Sequence, residues 1–280
     1  MKIGNIIANK IYDDIRQLPI KRLPHLAIVQ VGDDPASTIY IKYKRRACDK
    51  LGYKFTLFKY DDTISTDKLA QEIDKINKNS EITGCIIQLP LPLHINKFKI
   101  LNVVDPRKDV DGFHIENVGR LALGIHDTTF VPATVLGIYK FIKYHNLKTK
   151  GKCCVIIGKS RIVGRPLQML LSDEFDCAYT TILCDKYTEN LDQITKMADI
   201  LIVAAGVHHL INNPKYIKQD AVVIDVGIHR VKINNKFKVQ GDVDYNKIKE
   251  KCKLITPVPG GVGPITVAAL MLNLSEASKN

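Results

Sequence analysis

Seven short apolar, β-rich runs alternate with helical patterns along this chain, at residues 26–31, 55–60, 84–89, 153–157, 180–183, 200–205 and 221–226. The helical stretches lie at 37–51, 67–77, 134–144, 164–171 and 191–197. Strands apolar on both faces need cover on both faces, and crossover helices supply it. The alternation therefore predicts an α/β fold with parallel sheets. At 280 residues the chain has room for two such units. The break most like a domain boundary is the loop running from Asp105-Pro106 to Gly112, followed by a second loop near Val131-Pro132. A new α/β unit opens at Lys152, and a last helix over 266–278 is expected to pack back on the first half.

Lysine and arginine outnumber aspartate and glutamate 41 to 29, a net charge of +12. That balance favours anionic partners, whether nucleic acid, phosphorylated cofactor or polyanionic substrate. The charge is dispersed, however, and its densest run, Lys42 to Arg46, is embedded in a helical pattern. A nucleic-acid reader needs a clustered basic face, so that class is set aside. The seven cysteines are odd in number and include no C-x-x-C pair, and most lie in apolar runs. They read as reduced core thiols. The start has no signal-peptide layout, and Asp13 and Asp14 argue against a transit peptide, so the cytoplasm is expected. The apolar runs fall short of the roughly 18 residues of a membrane helix, so no membrane partner is expected.

The clearest phosphate site follows the run Cys153–Ile157. Gly158-Lys159-Ser160-Arg161-Ile162-Val163-Gly164-Arg165-Pro166 reads as strand, glycine turn and helix start. Such a turn places a phosphate on free helix N–H groups. It is not a P-loop, because position 153 is a cysteine inside the strand. The second strand of this unit ends at Cys184-Asp185-Lys186. Asp185 suits a ribose 2′-hydroxyl and hence NAD, whereas Lys159 and Lys186 suit a 2′-phosphate and hence NADP.

In the first half, Tyr40 and Lys44 stand four apart on one helix face. Lys44 is a proton donor among the like charges of Lys42, Arg45 and Arg46. On spacing alone the pair reads as a solvated face. Tyr-x-x-x-Lys also occurs in short-chain dehydrogenases, but there it follows the cofactor loop rather than preceding it. Gln88 falls near the end of the strand over 84–89, where parallel sheets place ligands. Asp109 and Asp111 lack a third nearby ligand for a metal and read as charge in a solvated turn. The loop holding Pro259, Gly260 and Gly261 is too constrained for a plain surface turn and reads as ligand-lining. His208 and His209 have no partner at metal spacing and read as exposed, so no metal is expected.

Taken jointly these blocks resemble the bifunctional methylenetetrahydrofolate dehydrogenase/cyclohydrolase family. The resemblance rests on Val31 to Ser37 with Tyr40 and Lys44, on Gln88 to Pro92, and on Lys108 to Phe113. It continues through the Gly158–Pro166 block, Val223 to Ile228, Gly241 to Asp244 and Thr256 to Thr266. It implies an N-terminal folate-binding catalytic domain at 1–133, completed by the helix at 266–280, and a Rossmann-like NAD(P)-binding domain at 134–265. It also implies a homodimer with the active site in the cleft, acting in one-carbon metabolism and purine biosynthesis. Two reactions are implied: NADP-dependent oxidation of 5,10-methylenetetrahydrofolate to the 5,10-methenyl form, then hydrolysis to 10-formyltetrahydrofolate. No synthetase domain is expected at this length. A single-activity dehydrogenase of the same fold is the alternative.

Carried over position by position, Lys44 is the catalytic lysine, Gln88 orients it, Tyr40 stacks on folate and Asp111 grips the pterin. The substrate side is completed by Ser37, Pro259, Gly260 and Gly261. The cofactor set is Gly158, Lys159, Ser160, Ile162, Gly164, Lys186, Ile228 and Thr266. There are departures. Lys159 stands where the family usually has arginine, which replaces a fork by a point charge. Cys184-Asp185-Lys186 replaces Cys-His-Ser or Cys-His-Arg, which leaves NAD open beside NADP. Val207-His208-His209 replaces a Gly-Lys-Pro-like stretch at the cofactor cleft, and Pro132-Ala133-Thr134-Val135 replaces Pro-Cys-Thr-Pro.

Overall fold

The structure, a computed structural model, describes residues 2–125, 127, 129–173, 177–233 and 236–279. The outermost residues of the expected domains, Met1 and Asn280, lie outside the described residues. The chain divides into two compact units: 9–133 with 267–280, and 1–8 with 134–266.

The first unit takes residues 9–16 of helix α1 (Ile3–Arg16) and a parallel sheet of β1 (His25–Val31), β2 (Lys54–Tyr60) and β3 (Gly84–Ile87), ordered β2-β1-β3. Helix α2 (Pro35–Leu51) crosses from β1 to β2, and α3 (Thr66–Lys78) from β2 to β3. β3 is buried throughout and β1 is buried from Leu26 to Val31, with Gln30 the one polar side chain in that run, because both faces are covered. Edge strand β2 is half exposed. Leu69, Ile73 and Ile76 of α3 pack with Val29, Val31 and Ile87 on one face of the sheet. Helices α4 (Lys97–Val103) and α5 (Ile115–Ala122) follow. The loop after Val104 is no linker: it lies inside this unit, where Cys85 N donates to Lys108 O at 2.7 Å.

After residues 1–8, the second unit takes residues 134–144 of α6 (Ala133–Tyr144) and alternates β4 (Cys153–Ile157), α7 (Gly164–Leu171), β5 (Thr180–Cys184), α8 (Leu191–Thr195), β6 (Ile200–Val203) and β7 (Ala221–Asp225). A hairpin of β8 (His229–Ile233) and β9 (Lys236–Gln240) precedes α9 (Tyr245–Ile248) and β10 (Cys252–Ile255). The sheet order is β10-β7-β6-β4-β5, all parallel. The order reverses between β4 and β6, and that switch point opens a crevice beyond the strands' carboxyl ends.

Helix α10 (Val262–Ala277) returns the chain, with residues from 267 onward belonging to the first unit. It begins earlier than the sequence pattern suggests, because Pro264 is tolerated in a first turn. Ala268, Ala269, Leu270 and Met271 are buried in succession, so burial runs around the helix rather than along one stripe. In the first unit, Asn273 Nδ2 donates to Val110 O at 2.9 Å and to Val131 O at 2.8 Å. The seven cysteines are free, five of them buried. No helix among the described residues is long and apolar enough to cross a membrane.

Candidate active site

In the first unit, Asp34 opens α2: its carboxylate accepts from Ser37 N at 2.7 Å, and Pro35 fills the first turn. This cap fixes the helix that carries Ser37, Tyr40 and Lys44. Lys44 is half-buried rather than solvated, and its Nζ donates to Gln88 Oε1 at 3.2 Å. Gln88 is not in the strand; β3 ends one residue earlier, at Ile87. Its backbone N–H continues the ladder to Val29 O at 2.8 Å, and its Nε2 donates to Leu89 O at 2.9 Å. At 8% exposed, the amide is therefore held at both ends. Ser37 is buried, and its Oγ donates to the same Leu89 carbonyl at 3.2 Å. Tyr40 keeps its ring 39% exposed, and burial of the remainder pushes its hydroxyl pKa up.

The aspartates of the 109–112 turn differ from the expected solvated charges. Asp109 is 4% exposed. Its Oδ2 accepts from His114 N at 2.7 Å and Asn117 Nδ2 at 2.9 Å. Burial still dominates and pushes its pKa up to about 7. Asp111 keeps part of its surface open, yet desolvation pushes its carboxyl up too, opposed by the charge of Lys44. Lys44, Gln88 and Asp111 are thus brought together at the carboxyl end of the small sheet. Gly112, at φ +68°, has no room for a β-carbon against Phe130 O, so the turn is shaped for glycine.

In the second unit, Gly158 follows β4 at φ +118°, where a β-carbon would strike Ala204 O, just past β6. Gly164 packs on the Gly158 carbonyl with equally little room. The two glycines leave a backbone cradle at the switch point that side chains would fill. The helix N–H groups are not all open as expected: Ser160 Oγ accepts from Val163 N at 3.1 Å and Gly164 N at 3.3 Å. Ile162 is half-buried, and Ile228 is half exposed just after β7.

Lys159 and Asp185, assigned to rival cofactors on sequence, form an ion pair at 3.4 Å. The Asp185 carboxyl is held below its ordinary range, first by the Tyr187 backbone N–H and also by Lys159. Lys186 Nζ stands 4.8 Å from the Tyr187 ring centre. Thr266 Oγ1 donates to Val262 O at 3.2 Å within α10. Pro259 O accepts from Lys2 Nζ at 2.7 Å and Gly260 O from Gly4 N at 3.0 Å, and Gly261 leaves no room for a β-carbon on Gly4. The loop 259–261 is thereby tied to the start of α1 within the second unit.

Sequence reasoning gave no role to two buried carboxylates here. Asp225 collects N–H bonds from Gly227, Asp242 and Val243, each at 3.0 Å, and burial pushes its pKa up to about 6. Asp242 is the other. Asp225 is signalled as a carboxylate ending the apolar run 221–224, whereas Asp242 flanks no such run. His208 is exposed as expected, but His209 is half-buried with Nδ1 3.7 Å from Asp244 Oδ2. Among the described residues no group of three His, Cys, Asp or Glu is placed to hold a metal ion.

Two family models match the chain. The tetrahydrofolate dehydrogenase/cyclohydrolase catalytic domain matches residues 2–111, and the NAD(P)-binding domain of the same family matches residues 132–280. A relative from Christiangramia forsetii, named "Bifunctional protein FolD", is 42% identical over 97% of this chain and 92% of its own length. The bifunctional methylenetetrahydrofolate dehydrogenase/cyclohydrolase structure from Campylobacter jejuni is 38% identical, with TM-score 0.91, covering 99% of this chain and 97% of that one. The Trypanosoma brucei dehydrogenase-cyclohydrolase, solved with NADP cofactor and an inhibitor, is 29% identical with TM-score 0.91, covering 100% and 97%.

Proposed function

The chain belongs to the tetrahydrofolate dehydrogenase/cyclohydrolase family, and we propose that it carries out two consecutive reactions on a one-carbon folate. First, 5,10-methylenetetrahydrofolate is oxidised with NADP⁺ to the 5,10-methenyl cation. Water then adds to the methenyl carbon, the bond from that carbon to N5 breaks, and 10-formyltetrahydrofolate leaves with net release of one proton. The observation that carries this reading is the convergence of Lys44, Gln88 and Asp111.

Each residue has a part that suits its chemistry. The Asp111 carboxylate matches the donor edge of an aminopyrimidine through two parallel hydrogen bonds. The open ring of Tyr40 offers an aromatic face for stacking. Ser37 belongs to the substrate set of the first unit, and Pro259, Gly260 and Gly261 are the substrate residues assigned to the second. Gln88 aims Lys44, and Lys44 Nζ handles the proton of the attacking water.

Bound NADP⁺ supplies the hydride acceptor. The cradle of Gly158 and Gly164 fits a dinucleotide backbone, and Lys159, Ser160, Ile162, Lys186, Ile228 and Thr266 complete the set that holds it. NAD is the competing cofactor because Asp185 stands beside Lys159. We draw the functional domains at 1–133 with 266–280 and at 134–265. On the same family likeness the protein is a cytoplasmic homodimer that supplies one-carbon units for purine biosynthesis.

A paired absorbance assay tests this. Protein receives methylenetetrahydrofolate with NADP⁺ or NAD⁺, and the methenyl and reduced-nicotinamide bands are followed separately. Reduction with little methenyl build-up is expected. No reduction with either cofactor by folded protein removes the dehydrogenase reading.

A further inference from the structure

Asp242 is 0% exposed, and its carboxylate is a junction. Oδ2 accepts from Ala205 N at 2.7 Å and Gly206 N at 2.9 Å, and Oδ1 accepts from His229 Nε2 at 2.6 Å. One buried side chain thus ties the turn after β6 to the first residue of β8. Gly227 is crowded by the same carboxylate, which leaves no room for a β-carbon there.

The turn it holds is placed at the switch point. Ala204 O lies against Gly158, so the turn begins where the phosphate cradle ends. The β5 side of the crevice carries Lys159 and Asp185. A dinucleotide laid across the switch point therefore sends its other half toward β6 and β7.

The turn is also strained and stacked. Gly206 sits at φ +68° and His209 at φ +52°, a left-handed backbone that a histidine adopts only at a cost. His208 and His209 stack with ring centres 3.9 Å apart, and His208 meets His229 edge-on at 5.6 Å. Such a turn keeps its shape only when tied down from outside, and Asp242 accepts two of its N–H groups.

We propose that Asp242 and His229 form a positioning pair that holds turn 205–209 in the shape that receives the nicotinamide half of NADP, an inference resting on the dehydrogenase reading above. Neither side chain reacts. Without the histidine donor, Oδ1 is left unpaired in a dry site. The carboxylate then shifts to find a donor, and both turn N–H groups lose their anchor.

The test uses His229→Phe, which keeps a ring beside His208 but removes the N–H, and His229→Gln, which keeps a donor. NADP affinity is read by calorimetry, and methenyl hydrolysis is read with no dinucleotide present. His229→Phe is expected to weaken NADP binding about tenfold. His229→Gln should stay within about threefold of the parent, and both should hydrolyse the methenyl substrate at the parent rate. Unchanged NADP affinity in His229→Phe overturns the pairing role. So does an equal fall in hydrolysis and affinity, which marks general loss of folded protein. A parent that binds no dinucleotide overturns the dehydrogenase reading as well, whereas a parent that binds as tightly as His229→Phe overturns the pairing role alone.

Discussion

Lys44 Nζ lies 3.2 Å from Gln88 Oε1, joining the middle of α2 to the residue just past β3 across 44 positions of chain. The amide is itself pinned through Leu89 O, so the lysine has one direction to point. Lys44→Met is expected to lower methenyl hydrolysis by about a hundredfold or more, measured by decay of the methenyl absorbance. Full hydrolysis by the variant removes Lys44 from the chemistry. Gln88→Ala should show a smaller loss with the lysine intact.

Asp111 faces the charge of Lys44 from a turn closed by Gly112. Asp111→Ala is expected to weaken folate binding by at least about tenfold, the worth of a hydrogen bond to a charged group. Folate affinity by fluorescence, alongside KM, checks this. Binding as tight as the parent's ends the anchoring role.

Asp185 and Lys159 set opposing charges 3.4 Å apart, and the proposed reading lays the adenine ribose beside them. Asp185→Asn removes a repulsion of about 1 kcal/mol toward a 2′-phosphate, or roughly fivefold in affinity. The ratio of kcat/KM for NADP⁺ over NAD⁺ should rise by that factor, and Lys159→Gln should lower it. Ratios that do not move place both side chains outside the cofactor site.

Asp109 and Asp225 carry pKa values raised to about 7 and about 6 by burial. An acid whose folded pKa is raised binds its proton more tightly when folded. Its contribution to stability is complete below about pH 4, the ordinary carboxylate value, and is lost as pH rises through the folded pKa. Urea midpoints should therefore fall between about pH 4 and pH 7, and Asp109→Asn should flatten that fall. An identical slope in the variant removes Asp109 as the titrating group.

The strands buried on both faces were legible because short, β-branched apolar runs such as Ile200–Val203, bounded by polar or turn residues, have the length of a strand rather than of a helix. The β8–β9 hairpin forms no continuous apolar run, and its signal is instead the period-two alternation of Val231, Phe237 and Val239 with charged residues, which a search for apolar runs passes over. Helix α1 shows a buried stripe at Ile7, Ile11 and Ile15 that a search for leader segments passes over. Lys44 and Gln88 were each legible as polar residues in suitable places, but nothing local in sequence says that they meet. Asp109 misled for the reverse reason. A carboxylate in a Pro- and Gly-flanked loop looks solvated until Asn117 and the His114 N–H are folded onto it. Ser160 reads in sequence as part of an open phosphate turn, and its competing bonds to Val163 and Gly164 depend on rotamer, which spacing does not encode.

Helix α10 completes the first unit from the far end of the chain: Asn273 reaches Val110 across 163 positions, and Met271 meets Cys48 across 223. Synthesis on the ribosome runs in the opposite sense. While residues 134–266 emerge and their sheet forms, the carbonyls of Val110 and Val131 have no amide to take, and the small sheet lacks one cover. The part made first is therefore finished last, and the turn that carries Asp111 acquires its anchor only once α10 has been made.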